Sequence, residues 1–186
     1  MPAVGAVRTK VTAWLVQTPK NGAMQQAAVF CTFSDTPMAR IQFTDFDDAV
    51  FGTALVCPPP LHPGAHTDNV QLLQLASLAR FRFFEALGYR ETNVEGVQIF
   101  VGDQAVQYKS EAFPDQSVEV QMAVRDIASK GFDLIYRLVD AQTGRLISLG
   151  KIGIVSVNRQ TKRPCALPDV FKAKLLDLEP LAIANA

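Results

Sequence analysis

The sequence predicts an α+β protein in which one long helix is wrapped by a single curved antiparallel sheet. Two observations carry this. The run from Gly64 to Gly88, GAHTDNVQLLQLASLARFRFFEALG, is apolar around most of a helical circumference. At about 100° per residue, Gln71, Gln74, Arg82 and Glu85 share one narrow polar stripe, and leucine, alanine and phenylalanine cover the rest. Such a helix cannot keep one face in water, so other elements must enclose it. Almost everything after Gly96 reads as β-strand, and one helix ahead of an uninterrupted run of strands defines the α+β class.

The elements follow in order. The first 34 residues hold no Asp or Glu but carry Arg8, Lys10 and Lys20, a bias shared with transit peptides. Val11–Val16 and Ala27–Phe33 are nevertheless rich in β-branched and aromatic residues, and Lys20-Asn21-Gly22 is a turn signal. Two strands joined by a turn is the stronger reading, which makes 1–38 a strand extension packed on a domain spanning 39–186. Ala39–Asp45 alternates Ile41 and Phe43 with Arg40 and Gln42, the period of a strand. The insertion 48–65, with Pro58-Pro59-Pro60, Pro63 and Gly64, is too proline-rich for regular structure and too apolar for a disordered linker. It reads as an ordered loop, either functional or simply packed on the surface. After the helix come strands at Val97–Lys109, kinked at Gly102, and at Ser117–Ile127, Phe132–Val139 and Leu146–Val157. Turns at Asp140–Gly144 and Asn158–Arg163 punctuate them, and a short helix forms around Asp169–Leu176.

Composition excludes several classes of function. A formal net charge of zero, with both signs interspersed, leaves no footprint for nucleic acid or an anionic membrane. No apolar run approaches the length of a membrane span. The 3 cysteines, Cys31, Cys57 and Cys165, are odd in number and lack a CxxC pair. That argues against a disulfide framework and a zinc site and for a reducing, cytoplasmic setting with buried structural thiols. No Ser-His-Asp spacing, phosphate-binding glycine loop or metal-ligand cluster stands out, so neither cofactor nor metal is expected.

Four motifs in one order resemble the hot-dog fold, and within it the 4-hydroxybenzoyl-CoA/acyl-CoA thioesterase group. Arg40-Ile41-Gln42-Phe43-Thr44-Asp45-Phe46-Asp47 resembles that group's R-[IV]-x-F-x-D-x-D strand. His66-Thr67-Asp68-Asn69 resembles its H-V-N-N segment, with the preceding glycine, Gly64, one residue further back. Ala79-Arg80 stands in the register of its E-x-A-R…LG helix, and VNRQTKRPCALPDVFKAKL resembles its V-D-x-x-T-x-R-P-x-x-L-P ending. The resemblance covers roughly Ala39 to Leu176. It implies a thioesterase acting on an acyl-CoA or acyl-carrier substrate, with the thioester at the helix N-terminus. It also implies a homodimer or dimer of dimers with sites at the subunit boundary. Three departures qualify it: the proline-rich segment separates Asp47 from His66, Ser77 replaces the family's helix glutamate, and Leu72 replaces a common tyrosine.

The chemistry explains the residue types. Thioester hydrolysis needs a nucleophile or activated water and a polarised carbonyl. A carboxylate can act as nucleophile or base, and amides at a helix N-terminus can stabilise a developing oxyanion. With the helix glutamate absent, the carboxylate must be Asp47, Asp45 or Asp68, and Asp47 occupies the second Asp of its motif. The candidate catalytic set is therefore Asp47, Asp68, His66 and Asn69, with Asp45, Gly64 and Ser77 assigned to substrate binding. Each has a plain structural reading beside it. Asp68 is placed to be the helix N-cap, and Asp45 and Asp47 to be solvated strand-end carboxylates. His66 can be an ordinary loop histidine, and Ser77 a packing residue. Arg80 is expected to pair with a carboxylate beneath the sheet. Two other functions stay open: a hot-dog dehydratase or hydratase using His66 and Asp68, and a non-catalytic acyl-binding or assembly protein. Val97–Val106, apolar and free of proline, suits a sheet edge that needs a partner strand, hence a dimer, unless the strands Val11–Val16 and Ala27–Phe33 cap it within one subunit and leave a monomer.

Overall fold

The computed structural model describes residues 11–20, 23–32, 41–63 and 66–181. The chain divides into two compact units, 1–40 and 41–186. The first contains a hairpin of β1 (Val11–Lys20) and β2 (Ala23–Thr32), paired antiparallel from Val11 opposite Thr32 to Lys20 opposite Ala23. Its strands extend beyond the apolar cores visible in the sequence, because a register once set carries the flanking polar residues with it.

The second unit is a five-stranded antiparallel sheet with two helices. Its strands are β3 (Phe51–Val56), β4 (Val97–Tyr108), β5 (Ser117–Arg125), β6 (Gly131–Asp140) and β7 (Leu146–Asn158), in the spatial order β3-β5-β6-β7-β4. The four strands after the helix stand within a few residues of their expected limits, but only one of them alternates cleanly in burial. β6 is a clear case: Phe132, Leu134, Tyr136 and Leu138 are buried while the residues between them are half-exposed. The expected kink at Gly102 is a shift in register between Val101 and Asp103 against β7.

The first strand differs from expectation. Residues 41–46 form no strand, and the strand lies inside the supposed loop, at Phe51–Val56, with Phe51 opposite Met122 and Val56 opposite Ser117. The segment before it reaches across the sheet instead. The Phe43 amide donates to Gln107 Oε1 at 3.5 Å, and the Arg137 guanidinium lies 5.6 Å from the Phe46 ring centroid. Arg137 alternates with the core residues Tyr136 and Leu138, so the segment covers the face turned away from the core.

Helix α1 (Asn69–Ala86) has 18 residues. Asp68 caps it: Oδ1 accepts the Val70 amide at 2.8 Å while Gln71 Oε1 accepts the Asp68 amide at 3.1 Å, a capping box. It ends at Gly88, whose φ of +83° is the left-handed conformation that glycine adopts without strain. Leu72, Leu75, Ala76, Ala79, Phe83 and Phe84 pack into the same core as the sheet. Arg80 is buried beside them and pairs with Glu91 at 2.5 Å, the expected carboxylate partner. Enclosure is incomplete, however. Val70, Leu78 and Phe81 remain 49, 42 and 47 % exposed on one face. Of the polar stripe, Gln74, Arg82 and Glu85 are exposed and Gln71 is buried, and Arg82 donates to Thr53 and the Ala54 carbonyl on β3. Helix α2 (Asp169–Leu176) closes the far end, its Phe171 ring stacked 5.9 Å from Phe84. No described helix is long and apolar enough to cross a membrane.

Candidate active site

The start of α1 meets the end of β4. The Thr67 amide donates to the Ala112 carbonyl at 2.7 Å, and Gln71 Nε2 donates to the Pro59 carbonyl at 2.6 Å. The helix N-terminus is thus tied both to the proline-rich segment and to the chain leaving β4. Between them lies a cavity of about 300 Å³. One wall is His66, Thr67 and Asn69; the other is Tyr108, Ser110 and Glu111, with Leu72 on the floor.

Several groups here are fixed in place. His66 Nδ1 lies 3.1 Å from the Thr67 carbonyl. A carbonyl only accepts, so Nδ1 is the donor in this contact. The Tyr108 hydroxyl donates to the Asn69 carbonyl at 3.3 Å, and partial burial raises its pKa, so it stays a donor at neutral pH. Arg145 binds the Ser110 hydroxyl and donates to the Glu111 carbonyl at 2.9 Å, pinning the segment after β4. Behind the cavity, burial pushes the Cys57 thiol up, a shift the neighbouring Thr67 hydroxyl partly offsets. Cys57 is therefore an inert, structural thiol.

The structure brings only part of the expected constellation together. His66 and Asn69 share the cavity; Asp68 lies at its shoulder, in a smaller recess of about 180 Å³ that also holds His62 and His66. One Asp68 oxygen is taken by its capping bond. Asp45 and Asp47 lie elsewhere, in a shallow recess with Phe46 and Arg137, where Arg137 Nη1 is 3.4 Å from Asp45. Arg137 stands level with Gly52, near the beginning of β3, whereas the chain enters the helix from the other end of that strand. The stretch of β3 from Gly52 to Val56 lies between the two levels, a rise of roughly 13 Å along the strand. The separation follows from the displaced strand: Asp47 precedes β3 and His66 follows it. Ser77 lies two turns along α1, half-buried and outside the cavity, and Gly64 lies outside the described residues.

Sequence reasoning missed Tyr108, Ser110 and Glu111. No motif marks them, and their place opposite Asn69 arises from pairing 39 residues apart. Among the described residues no group of three His, Cys, Asp or Glu is arranged to hold a metal ion.

The profile of the thioesterase-like superfamily matches residues 40–175. No curated protein sequence matches the chain. Among solved structures, a 1,4-dihydroxy-2-naphthoyl-CoA thioesterase from Synechocystis is similar at 13% identity and a TM-score of 0.60, over 69% of this chain and 98% of its own. A hypothetical protein from Staphylococcus aureus, solved in complex with CoA, shares 19% identity at a TM-score of 0.64, over 75% and 91%. A probable thioesterase, YbaW, from Escherichia coli shares 15% identity at a TM-score of 0.56, over 69% and 98%. At such identities the likeness is one of fold.

Proposed function

Because the chain belongs to the thioesterase-like superfamily, whose hot-dog architecture it shares, we propose that it hydrolyses acyl-CoA or acyl-carrier thioesters at the N-terminus of α1. One observation carries this reading: a helix N-terminus, an imidazole and a carboxylate face one cavity of about 300 Å³. The thioester carbonyl oxygen points at the start of α1, where the helix dipole and the Asn69 amide and side chain polarise it. Glu111, a carboxylate that lines the cavity, takes a proton from water. The water oxygen adds to the carbonyl carbon, the C–S bond breaks, and the proton passes to the departing thiolate. His66, held through Nδ1, accepts a hydrogen bond from the attacking water at Nε2. Lys109, at the rim, offers charge to a phosphate of the carrier. In this assignment Asp68 caps the helix, and Asp45 and Asp47 brace the outer segment. The protein acts as a dimer joined through the β4 edge, which has β7 on one side and no partner among the described residues on the other.

Free-thiol release across a short-to-long acyl-CoA panel tests the mechanism. Glu111→Gln is expected to lose 10²–10⁴-fold in kcat, roughly the contribution of an acid–base group, while Asp47→Asn keeps near wild-type turnover. Loss confined to Asp47→Asn reverses the assignment. Binding of acyl-CoA without turnover by the wild type favours the non-catalytic reading instead.

A further inference from the structure

The first turn of α1 uses its amides unevenly. The Val70 amide goes to Asp68 Oδ1 at 2.8 Å, and those of Gln71 and Leu72 both go to the Asp68 carbonyl, at 3.0 and 3.2 Å. The Asn69 amide has no acceptor among the described residues, and Asn69 lines the cavity of about 300 Å³. An amide at the positive end of a helix dipole attracts an anionic oxygen, but it occupies only one of that oxygen's lone pairs.

Across the cavity stands a second donor, the Tyr108 hydroxyl. Tyr108 is paired with Ser148 on β7, which is paired in turn with the core residue Leu138 on β6, so its ring turns to the helix side of the sheet. The side chain is 41 % exposed, and its contact with the Asn69 carbonyl, at 3.3 Å, is longer than the roughly 2.5–3.0 Å of a well-formed hydroxyl bond. That carbonyl has the helix amide four residues on as its regular partner, so losing the phenol leaves it satisfied. Tyr108 is thus a donor held at the helix end by a weak contact, with room to move to a better acceptor. Partial burial, and to a lesser degree the Asp68 charge, raise its pKa, which keeps the phenol neutral and donating.

Resting on the thioesterase reading above, we infer that Tyr108 is a catalytic residue: its hydroxyl leaves the Asn69 carbonyl and donates to the thioester oxygen, beside the Asn69 amide. As the water oxygen adds to the carbonyl carbon, the π electrons of the C=O bond move onto that oxygen, and both hydrogen bonds strengthen. When the C–S bond breaks, its electron pair leaves with sulfur and the carbonyl re-forms. The phenol keeps its proton throughout, because a thiol of pKa about 8.5 is a stronger acid than a phenol of about 10. A bond that strengthens only as charge develops lowers the barrier and leaves substrate affinity nearly unchanged.

Free-thiol release and urea unfolding, measured on the wild type and on Tyr108→Phe, test this. The variant is expected to lose about 10²–10³-fold in kcat, the contribution of one oxyanion donor, with KM changed by less than about threefold. Its urea midpoint should stay at the wild-type value, since the contact it gives up is long and its acceptor remains satisfied. A kcat near wild type overturns the inference, and so does a loss confined to KM, which marks a contact made equally in the ground state. A kcat loss that tracks a lowered urea midpoint also overturns it, leaving Tyr108 a latch between β4 and α1. Tyr108→Leu serves in place of Tyr108→Phe should the latter not fold, judged by circular dichroism. A wild type that hydrolyses no acyl thioester defeats the thioesterase reading itself, a result distinct from these.

Discussion

The Tyr136 ring fits on β6 only because its neighbour on β7 is Gly150: a Cβ there would fall 2.4 Å from the ring and 2.5 Å from the hydroxyl. The hydroxyl is buried without a well-formed hydrogen bond, and burial pushes its pKa up to about 12, a shift the neighbouring Gln104 side chain partly offsets. An acid whose folded pKa is raised favours the neutral form in the folded state. Its contribution is present below the unfolded value of about 10 and is lost as pH rises from there to about 12. A rise from about 10 to about 12 limits that loss to at most roughly 3 kcal/mol. Tyr136→Phe is expected to keep or raise stability at pH 7, because it removes an unpaired buried hydroxyl, and to flatten the decline between pH 10 and 12. Urea unfolding as a function of pH checks both halves. Gly150→Ala should destabilise by about 1–3 kcal/mol through overpacking. None of this is visible in the sequence, where Gly150 and Tyr136 stand 14 positions apart and only the pairing of β6 with β7 brings them together.

At the scale of elements, α1 shows what periodicity can and cannot tell. Its N-cap at Asp68 and its end before Gly88 are readable, because caps are local properties. That Arg80 finds a carboxylate is readable too, but not that the partner is Glu91, in the turn just after the helix. Both side chains of that pair are only about a tenth exposed, at 9% and 11%. Removing one partner of such a pair leaves a charge in a dry site, which costs about 3–5 kcal/mol. Glu91→Ala is therefore expected to lower stability by that much, whereas replacing both partners with apolar residues recovers most of it; chemical denaturation of the single and double variants distinguishes the two. The first strand departs from its expected place for a similar reason. Ile41-Gln42-Phe43 alternates as a strand does, and Phe51–Val56 hides among prolines and glycines. Only pairing with Ser117–Met122 separates the two stretches.

For the molecule as a whole, the two edges of the sheet are treated differently. The outer side of β3 is covered by Arg82, which donates to the Ala54 carbonyl, and by Leu181, whose amide donates to the Ala49 carbonyl at 2.6 Å. Within the second unit, β4 has no such cover among the described residues, though it is 12 residues long and carries Phe100 and Val101 exposed. An edge of this kind pairs with another chain unless it is blunted. Light scattering at micromolar concentration is expected to give a mass near twice 20.3 kDa. Leu78→Glu, on the exposed apolar face of α1, should shift the protein to the monomer without unfolding it. A wild type that is already monomeric contradicts the edge-pairing proposal.

The sequence by itself determined the class of fold, the order and near-limits of the strands after Gly96, the capped helix and the family. All of these follow from local periodicity, from turn chemistry or from short motifs in a fixed order. The tertiary structure decided which of the motif residues meet. Asp47 and His66 stand 19 positions apart in the sequence, yet β3 between them carries one to the outer face and the other to the helix N-terminus. Glu111 lies 42 positions beyond Asn69 and reaches the same cavity, because β4 returns alongside the start of α1. A carboxylate's role depends on what faces it across the fold, and that is set by long-range pairing, which no local pattern records.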